Sequence, residues 1–460
     1  MKAEEYLQTL TGQIRCKAAR SSVREEIAGH IEEQRLTYES QGIEKEEAEV
    51  LAVQEMGDPV ETGVELDRIH RPRMSWGMIA LAGLLSGVWI VLPKLLSAGN
   101  AYENVNLPLR IIVAVIGMVM MTAICYVDYT RIGRMAKPLA AGLVGILFLL
   151  FVIPTGLTVM NGGYRTWISL GFFAVDMRLI LLIYVPLYAA VLYGYRGGGY
   201  REVGKGILWM LLPLPVALQM GSVTTAVMLC ICFAVIFTVA VCKRWYRVSV
   251  KPGLGGFYMA VTLFSMAAAA FFLRNAAAYQ RERLLSWTGM YDGSENYVQR
   301  TVRTVLEGSV WFGKAETQAA VDILNHTDGG LVEGDFMLTE IAGNYGIAAA
   351  LILVLAIVFL LGYLLWSALK QQNRLGMIMG LGCAVVLFAE TALYVLSNLG
   401  MIYVAVTCPF VTYGYGGILQ TYLLLGVLLS VYRYQSVLSD TQTMKGKGLP
   451  FRIRLVVEKA

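Results

Sequence analysis

Residues 223–242 read VTTAVMLCICFAVIFTVAVC, twenty consecutive positions without a charged side chain. A helix needs about 20 mostly apolar residues to cross the hydrocarbon of a bilayer, so this stretch reads as a membrane span. The rest of the 460-residue chain agrees: 57% of it is hydrophobic and only 15% charged, with a mean hydropathy of +0.58. Soluble domains carry about 25% charged residues, which excludes a water-surrounded globule, a disordered chain and a secreted disulfide scaffold. Nine further apolar stretches lie at 75–97, 108–127, 138–158, 178–195, 204–219, 255–275, 337–367, 376–398 and 414–433. The expected fold is all-α: a polytopic membrane protein of about ten transmembrane helices behind a small soluble helical domain.

The seven cysteines sit mostly inside these runs, where they act as small hydrophobes. Cys230 and Cys232 form a lone CxC pair without the second pair that a zinc site requires, so no metal site is expected. Basic loops orient the spans. Arg131, Arg134 and Lys137, then Arg196, Arg201 and Lys205, then Lys243, Arg244, Arg247 and Lys251, then Lys370 and Arg374 fall on one side with both termini. The loops 98–107 and 219–222 on the other side hold neither Lys nor Arg. The expectation is a multi-pass protein of the bacterial cytoplasmic membrane with cytoplasmic termini.

Residues 1–73 differ in kind, with a net charge of −6 against +11 for the remainder. They read as four short helices. Ser22-x-x-Glu25 has the form of a capping box and predicts a helix over about 22–40, while Asp58-Pro59 places an N-cap before a proline at the first helical position. His30 and His70 have no ligand partners nearby in sequence and read as ordinary surface or packing residues. Gly57-Asp58-Pro59 with Ile69-His70-Arg71-Pro72 resembles the permease-prefix domain found ahead of assorted bacterial membrane proteins, which implies a cytoplasmic tethering or signalling role. The expected organisation is this domain at 1–73, a membrane domain at 74–436 and a basic cytoplasmic tail at 437–460.

One segment, 276–336, is long, polar and external by the same orientation; loops of that length are uncommon unless functional or disordered. It carries Arg281, Arg283, Arg300, Arg303 and Lys314 and several aromatics, with carboxylates close to its return into the membrane. Cations at headgroup height suit a lipid diphosphate. Inside the spans, Glu390 is an expensive residue in the ninth stretch; it either lines a polar cavity or is neutralised by a neighbouring hydroxyl, amide or Arg.

A series of motifs occurs in order along the chain. Gly163-x-Arg165-x-Trp167-Ile168-x-Leu170-Gly171 follows the third span. Tyr279-Gln280-x-x-Arg283, Gly308-Ser309-Val310-Trp311-Phe312-Gly313-Lys314 and Asp335-Phe336, with Gly346 eleven residues on, share the long loop. Asn398-x-Gly400 and Pro409-Phe410-x-Thr412-Tyr413-Gly414-x-Gly416-Gly417 close the chain. On these residues the chain resembles the SEDS family, the FtsW, RodA and SpoVE proteins of shape, elongation, division and sporulation, over about 75–435.

That resemblance implies a membrane glycosyltransferase that polymerises peptidoglycan strands from lipid II outside the membrane, with a class B penicillin-binding protein as partner and no nucleic acid. It implies Asp335 as the catalytic base, with Arg283 and Lys314, then Arg281 and Arg165, on the diphosphate, and Trp167 and Gln280 as further substrate contacts. Asp328, within His326-Thr327-Asp328, rivals Asp335; Glu333 is placed to act on the Asp335 carboxyl as a like charge; and an N-cap for the eighth span is the competing role of Asp335 itself. A divalent cation, Mg²⁺ or Mn²⁺, enters by resemblance alone, and no organic cofactor is expected. Departures also stand out: Asp176-Met177-Arg178-Leu179 replaces the family's Gln-Pro-Ser-Glu, only Gln219-Met220-Gly221 stands for a Gln-Pro-Asp segment, and about five residues are missing between Asn398 and Pro409. Two other functions stay open at this point, a polyprenyl-lipid transporter drawing on Glu390 or Arg178 and a catalytically silent cell-wall scaffold.

Overall fold

The computed structural model describes residues 1–96, 105–153, 156–161, 164–169, 171, 173–275, 297–325, 335–371 and 373–435. The chain divides into two compact units, Met1–Met74 with Gln371–Gly376 and Tyr432–Ala460, and Ser75–Lys370 with Met377–Val431.

The first unit is built on helices α1 (Ala3–Gln13), α2 (Lys17–Ser40), α3 (Lys45–Glu55) and α4 (Pro59–Ile69). Tyr6, Leu10, Ile14, Ala19, Val23, Ile31 and Ala52 make its core, and Tyr434 packs against them. Asp58 caps α4 as expected, its Oδ1 accepting from the N–H groups of Val60 at 2.6 Å and Glu61 at 3.1 Å. The expected start of α2 moves, however: the helix begins five residues before Ser22. Burying Ala19 extends the apolar stripe of Val23 and Ile31 by one turn, and tertiary packing of that stripe outweighs a local capping signal.

The second unit holds the apolar stretches, and each of the ten coincides with a helix or a broken pair of helices. In chain order these are α5 (Trp76–Leu96), α6 (Leu107–Tyr126), the short α7 (Tyr129–Arg134), α8 (Ala136–Val152), α9 (Met177–Leu182), α10 (Tyr184–Tyr193), α11 (Tyr200–Leu211) and α12 (Leu214–Gln219). Then follow α13 (Val223–Cys242), α14 (Val250–Asn275), α15 (Tyr297–Gly308), α16 (Gln318–Asn325), α17 (Met337–Tyr345), α18 (Ile347–Leu369), α19 (Arg374–Asn398) and α20 (Tyr415–Arg433). Among the described residues α5, α6, α13, α18, α19 and α20 are long and apolar enough to cross a membrane, and 136–152 and 177–193 are shorter apolar helices.

Every residue of α10 is buried, so this helix is wrapped by protein. Its Tyr184 and Tyr188 rings bracket Phe233 of α13, with centroids 5.8 and 4.6 Å away. Glycines let α6 and α20 approach closely, as small residues do between membrane helices: a Cβ on Gly117 would fall 2.0 Å from the Tyr422 ring, and one on Gly426 2.9 Å from Ile124 and from the Met121 carbonyl.

Two expectations change here. The protein is mainly helical as expected, but the segment after α8 adds a three-stranded antiparallel sheet, β1 (Thr158–Asn161), β2 (Tyr164–Ser169) and β3 (Ala174–Asp176), paired in that order. The eighth stretch also does not run unbroken from 337. It is cut at Gly346, whose φ of +100° lies where a side chain is strained, leaving α17 as a separate short helix and starting the apolar span at Ile347. A Cβ at Gly346 would stand 2.5 Å from the Trp311 carbonyl oxygen. Gly346→Ala therefore costs about 1–3 kcal/mol and lowers the unfolding midpoint of the purified protein; an unchanged midpoint would remove Gly346 as the cause of the break.

Candidate active site

Asp335 is the last residue but one before α17, and the way that helix begins determines its setting. The first N–H groups of a helix need acceptors from outside it. Phe336 occupies the N-cap position and offers no side-chain bond. The acceptors come instead from α19: the Met337 N–H donates to the Tyr394 hydroxyl at 3.2 Å and the Thr339 N–H to Asn398 Oδ1 at 3.1 Å. Asn398 completes the clamp by donating through Nδ2 to the Asp335 carbonyl at 3.2 Å, and the Thr339 hydroxyl donates to the Asn398 carbonyl at 2.9 Å. Phe336 stacks on Tyr403, with ring centroids 6.1 Å apart.

The N-cap role weighed for Asp335 is thus filled by its neighbours across the fold. Its half-buried carboxylate makes no hydrogen bond or close ion pair among the described residues. Burial pushes its carboxyl up from the ordinary 3.8 to about 6, with the positive charge of Arg178 pulling in the opposite direction. A carboxylate that does no capping and titrates near neutrality is suited to accept a proton.

Arg178 stands at the turn from β3 into α9. Asp176 accepts from its backbone N–H at 2.8 Å, takes Nε at 2.7 and 3.0 Å on its two oxygens, and pairs with Nη2. The sheet fixes that turn, because Asp176 lies across from Trp167 in the β2–β3 register. Gly416 of the terminal motif fits beneath it; a Cβ there would meet Val175 at 3.2 Å and Leu179 at 3.3 Å. The Trp167 indole N–H is buried without a partner among the described residues. Arg165, half-buried on the same strand, is paired with Met160 of β1.

Lys314 is placed elsewhere. Its loop is bonded to the far end of α17, with Gly313 N–H on the Tyr345 carbonyl at 3.3 Å and Ala315 N–H on the Gly343 carbonyl at 2.7 Å. Eight residues of helix separate that end from Met337, roughly 12 Å of rise. Gln280, Arg281, Arg283, Asp328 and Glu333 lie outside the described residues, as does the tail 437–460. Glu390 sits in α19 two turns below Asn398, fully buried, accepting from Gln420 Nε2 at 2.9 Å. The neighbouring amide expected under one of its two readings is thus Gln420.

Sequence reasoning missed Arg110, set near the start of an apolar stretch where a single Arg reads as an interfacial residue. It is 1% exposed, donates to the carbonyls of Trp89 at 2.9 Å and Tyr413 at 3.0 Å, and lies 4.1 Å from the centroid of the Trp89 ring. With the Trp89 indole donating to the Thr412 carbonyl at 2.7 Å, it bolts the terminal motif in place. Tyr394 was missed as well, since an aromatic in an apolar run carries no signal of a cap. Among the described residues no three of His, Cys, Asp and Glu gather as a metal cage, and Asp176 is spent on Arg178. Among the described residues no ligand set for a resident Mg²⁺ or Mn²⁺ is assembled.

Comparison with known proteins agrees with this architecture. The family model described as "Cell cycle protein", covering FtsW, RodA and SpoVE, matches residues 72–437. The "Probable peptidoglycan glycosyltransferase FtsW" of Thioalkalivibrio sulfidiphilus is 25% identical over 81% of this chain and 93% of its own. "Peptidoglycan glycosyltransferase MrdB" of Escherichia coli K12 is 23% identical over 64% of this chain and 78% of its own. In fold, the crystal structure of the Thermus thermophilus rod shape determining protein RodA superposes with a TM-score of 0.56 at 17% identity, covering 79% of this chain and 97% of that one.

If Asn398 caps α17 from α19, Asn398→Ala strands a buried N–H and frees the Asp335 main chain. The expected loss is about 1–3 kcal/mol, read as a lower unfolding midpoint; an unaltered midpoint would contradict capping across the two helices.

Proposed function

The chain belongs to the FtsW, RodA and SpoVE family of cell cycle proteins, and we propose that it is a peptidoglycan glycosyltransferase polymerising glycan strands from lipid II. The observation that carries this reading is the Asp335 carboxylate at the head of α17, without a hydrogen-bond partner among the described residues and raised to about 6. In the proposed reaction the acceptor sugar hydroxyl gives its proton to Asp335 as its oxygen attacks the anomeric carbon of the donor. The bond from that carbon to the diphosphate breaks, and the lipid diphosphate leaves with the electron pair. Asp335 is neutral at the end of the step and returns its proton to water.

A developing diphosphate charge calls for fixed positive charge. Arg178, held by Asp176 beside the sheet, is the described cation whose field reaches Asp335. Arg281 and Arg283 remain candidates from the sequence, and Lys314 belongs to the far end of α17. No step is assigned to a metal ion. By orientation of the basic loops the reaction face is external, the termini are cytoplasmic, and the membrane is the bacterial cytoplasmic membrane. A class B penicillin-binding protein is the proposed partner, and the module at 1–73 the proposed point of control.

Lipid II presented only on the outer face of proteoliposomes, with the chain alone and with a class B penicillin-binding protein, separates the readings. Polymer on a gel supports the enzyme, whereas lipid movement without polymer supports the transporter. Asp335→Asn is expected to insert normally and lose polymerisation by about a hundredfold to ten-thousandfold, the usual contribution of a positioned base. Undiminished polymer from that variant would overturn the assignment.

A further inference from the structure

The proposed chemistry does not use the loop Ser309–Thr317 between α15 and α16. It exposes two large aromatics side by side, Trp311 at 62% and Phe312 at 81%, followed by the exposed cation Lys314. Surface aromatics on a mobile loop would mean little, but this loop is fastened. Ile347 N–H donates to the Val310 carbonyl at 2.9 Å and Ala348 N–H to the Trp311 carbonyl at 3.2 Å. The bonds of Gly313 and Ala315 to Tyr345 and Gly343 tie its other limb. Gly346 admits the Trp311 carbonyl to a spot that any side chain would fill.

The fastening point sets the height of the loop. Ile347 and Ala348 form the first turn of α18, a helix long and apolar enough to span a membrane. Its exposed Leu351, Ile352, Leu355 and Phe359 begin one turn further along. The Tyr345 hydroxyl donates to the Leu95 carbonyl at 2.8 Å, so α5, another such helix, ends at the same level. Two spans ending together mark one boundary of the hydrocarbon, and the Trp311–Phe312 pair is bonded to that boundary. Trp and other amphipathic rings concentrate at this depth, and a lysine there reaches the headgroup phosphates.

We propose that Trp311, Phe312 and Lys314 form a membrane-surface anchor, the two rings seated in the bilayer interface and the ammonium on phospholipid headgroup phosphate. The anchor holds the turn at Gly346, and with it α17, at a fixed height against the bilayer. The occupant is bulk lipid, favoured over a protein partner by the continuity of the loop with the ends of two spans.

The test uses the full chain in liposomes of phosphatidylethanolamine and phosphatidylglycerol, with the photoreactive p-benzoyl-phenylalanine in place of Phe312 and, separately, of the exposed Glu316. Irradiation followed by mass spectrometry reads what each position touches. Lipid adducts at position 312 well above those at 316 are expected of an interfacial ring beside a solvated neighbour. Position 312 cross-linking to a second copy of the chain, or yielding no more lipid adduct than 316, would overturn the anchor. A Lys314→Glu variant carrying the probe at 312 should lose adduct yield in these anionic liposomes and recover it in wholly zwitterionic ones; equal yields in both would remove Lys314 from the anchor. Because the readout is lipid contact, these outcomes stand whether or not the chain polymerises glycan.

Discussion

A helix that begins inside a protein leaves N–H groups that must find acceptors, and the acceptors for α17 come from α19. Asn398 and Tyr394 supply them, and Asn398 also grips the Asp335 carbonyl. Had Asp335 been required as the cap, its carboxylate would be consumed by backbone N–H groups and driven to a low pKa. Relieved of that task and half-buried, it is raised instead. One hydrogen-bonding decision between two helices therefore prepares the chemistry assigned to the site.

The same short helix is framed at its other end by Gly346, where a left-handed turn separates it from the apolar span α18. The loop at Trp311 locks into that turn, so both ends of α17 are specified from outside it, by side chains of α19 at its start and by main-chain bonds to the loop at its end, rather than by its own propensity. The other wall of the site follows a comparable logic. Arg110 and Trp89 hold the carbonyls of Thr412 and Tyr413, which sets Gly416 under the β3–α9 turn that carries Asp176 and Arg178. A guanidinium buried in a membrane protein is costly, and three kinds of contact offset it here: carbonyls, an aromatic face and dense packing.

The mainly helical, polytopic character was legible because a bilayer demands length and hydropathy, both additive along the sequence, and six of the expected stretches are helices long and apolar enough to cross. Asp58 was legible for a similar reason, since a cap followed by proline acts within four residues. The family was legible from ordered motifs, of which the terminal one includes the carbonyls that Arg110 grips. What escaped depends on contacts distant in sequence. The start of α2 is decided by Ala19 reaching the core, the capping of α17 by residues about sixty positions away, and the burial of Arg110 by carbonyls three hundred positions away. Lys314 was assigned to the diphosphate by resemblance, and main-chain bonds hold its loop at the opposite end of α17 from Asp335. The short strands around Trp167 lie where external loop was expected, and pairing across a turn, not apolar length, creates them.

The pH dependence of polymerisation from lipid II measures the central claim most directly. A base that must be ionised, with a carboxyl near 6, gives a rate that is level above that pH and drops about tenfold per pH unit beneath it. Removing the opposing charge with Arg178→Gln moves the acid limb to higher pH, because the raising effect of burial then acts unopposed. A rate level down to the ordinary carboxylate range in the unaltered protein, or an acid limb that ignores Arg178, would contradict Asp335 as the group that takes the proton.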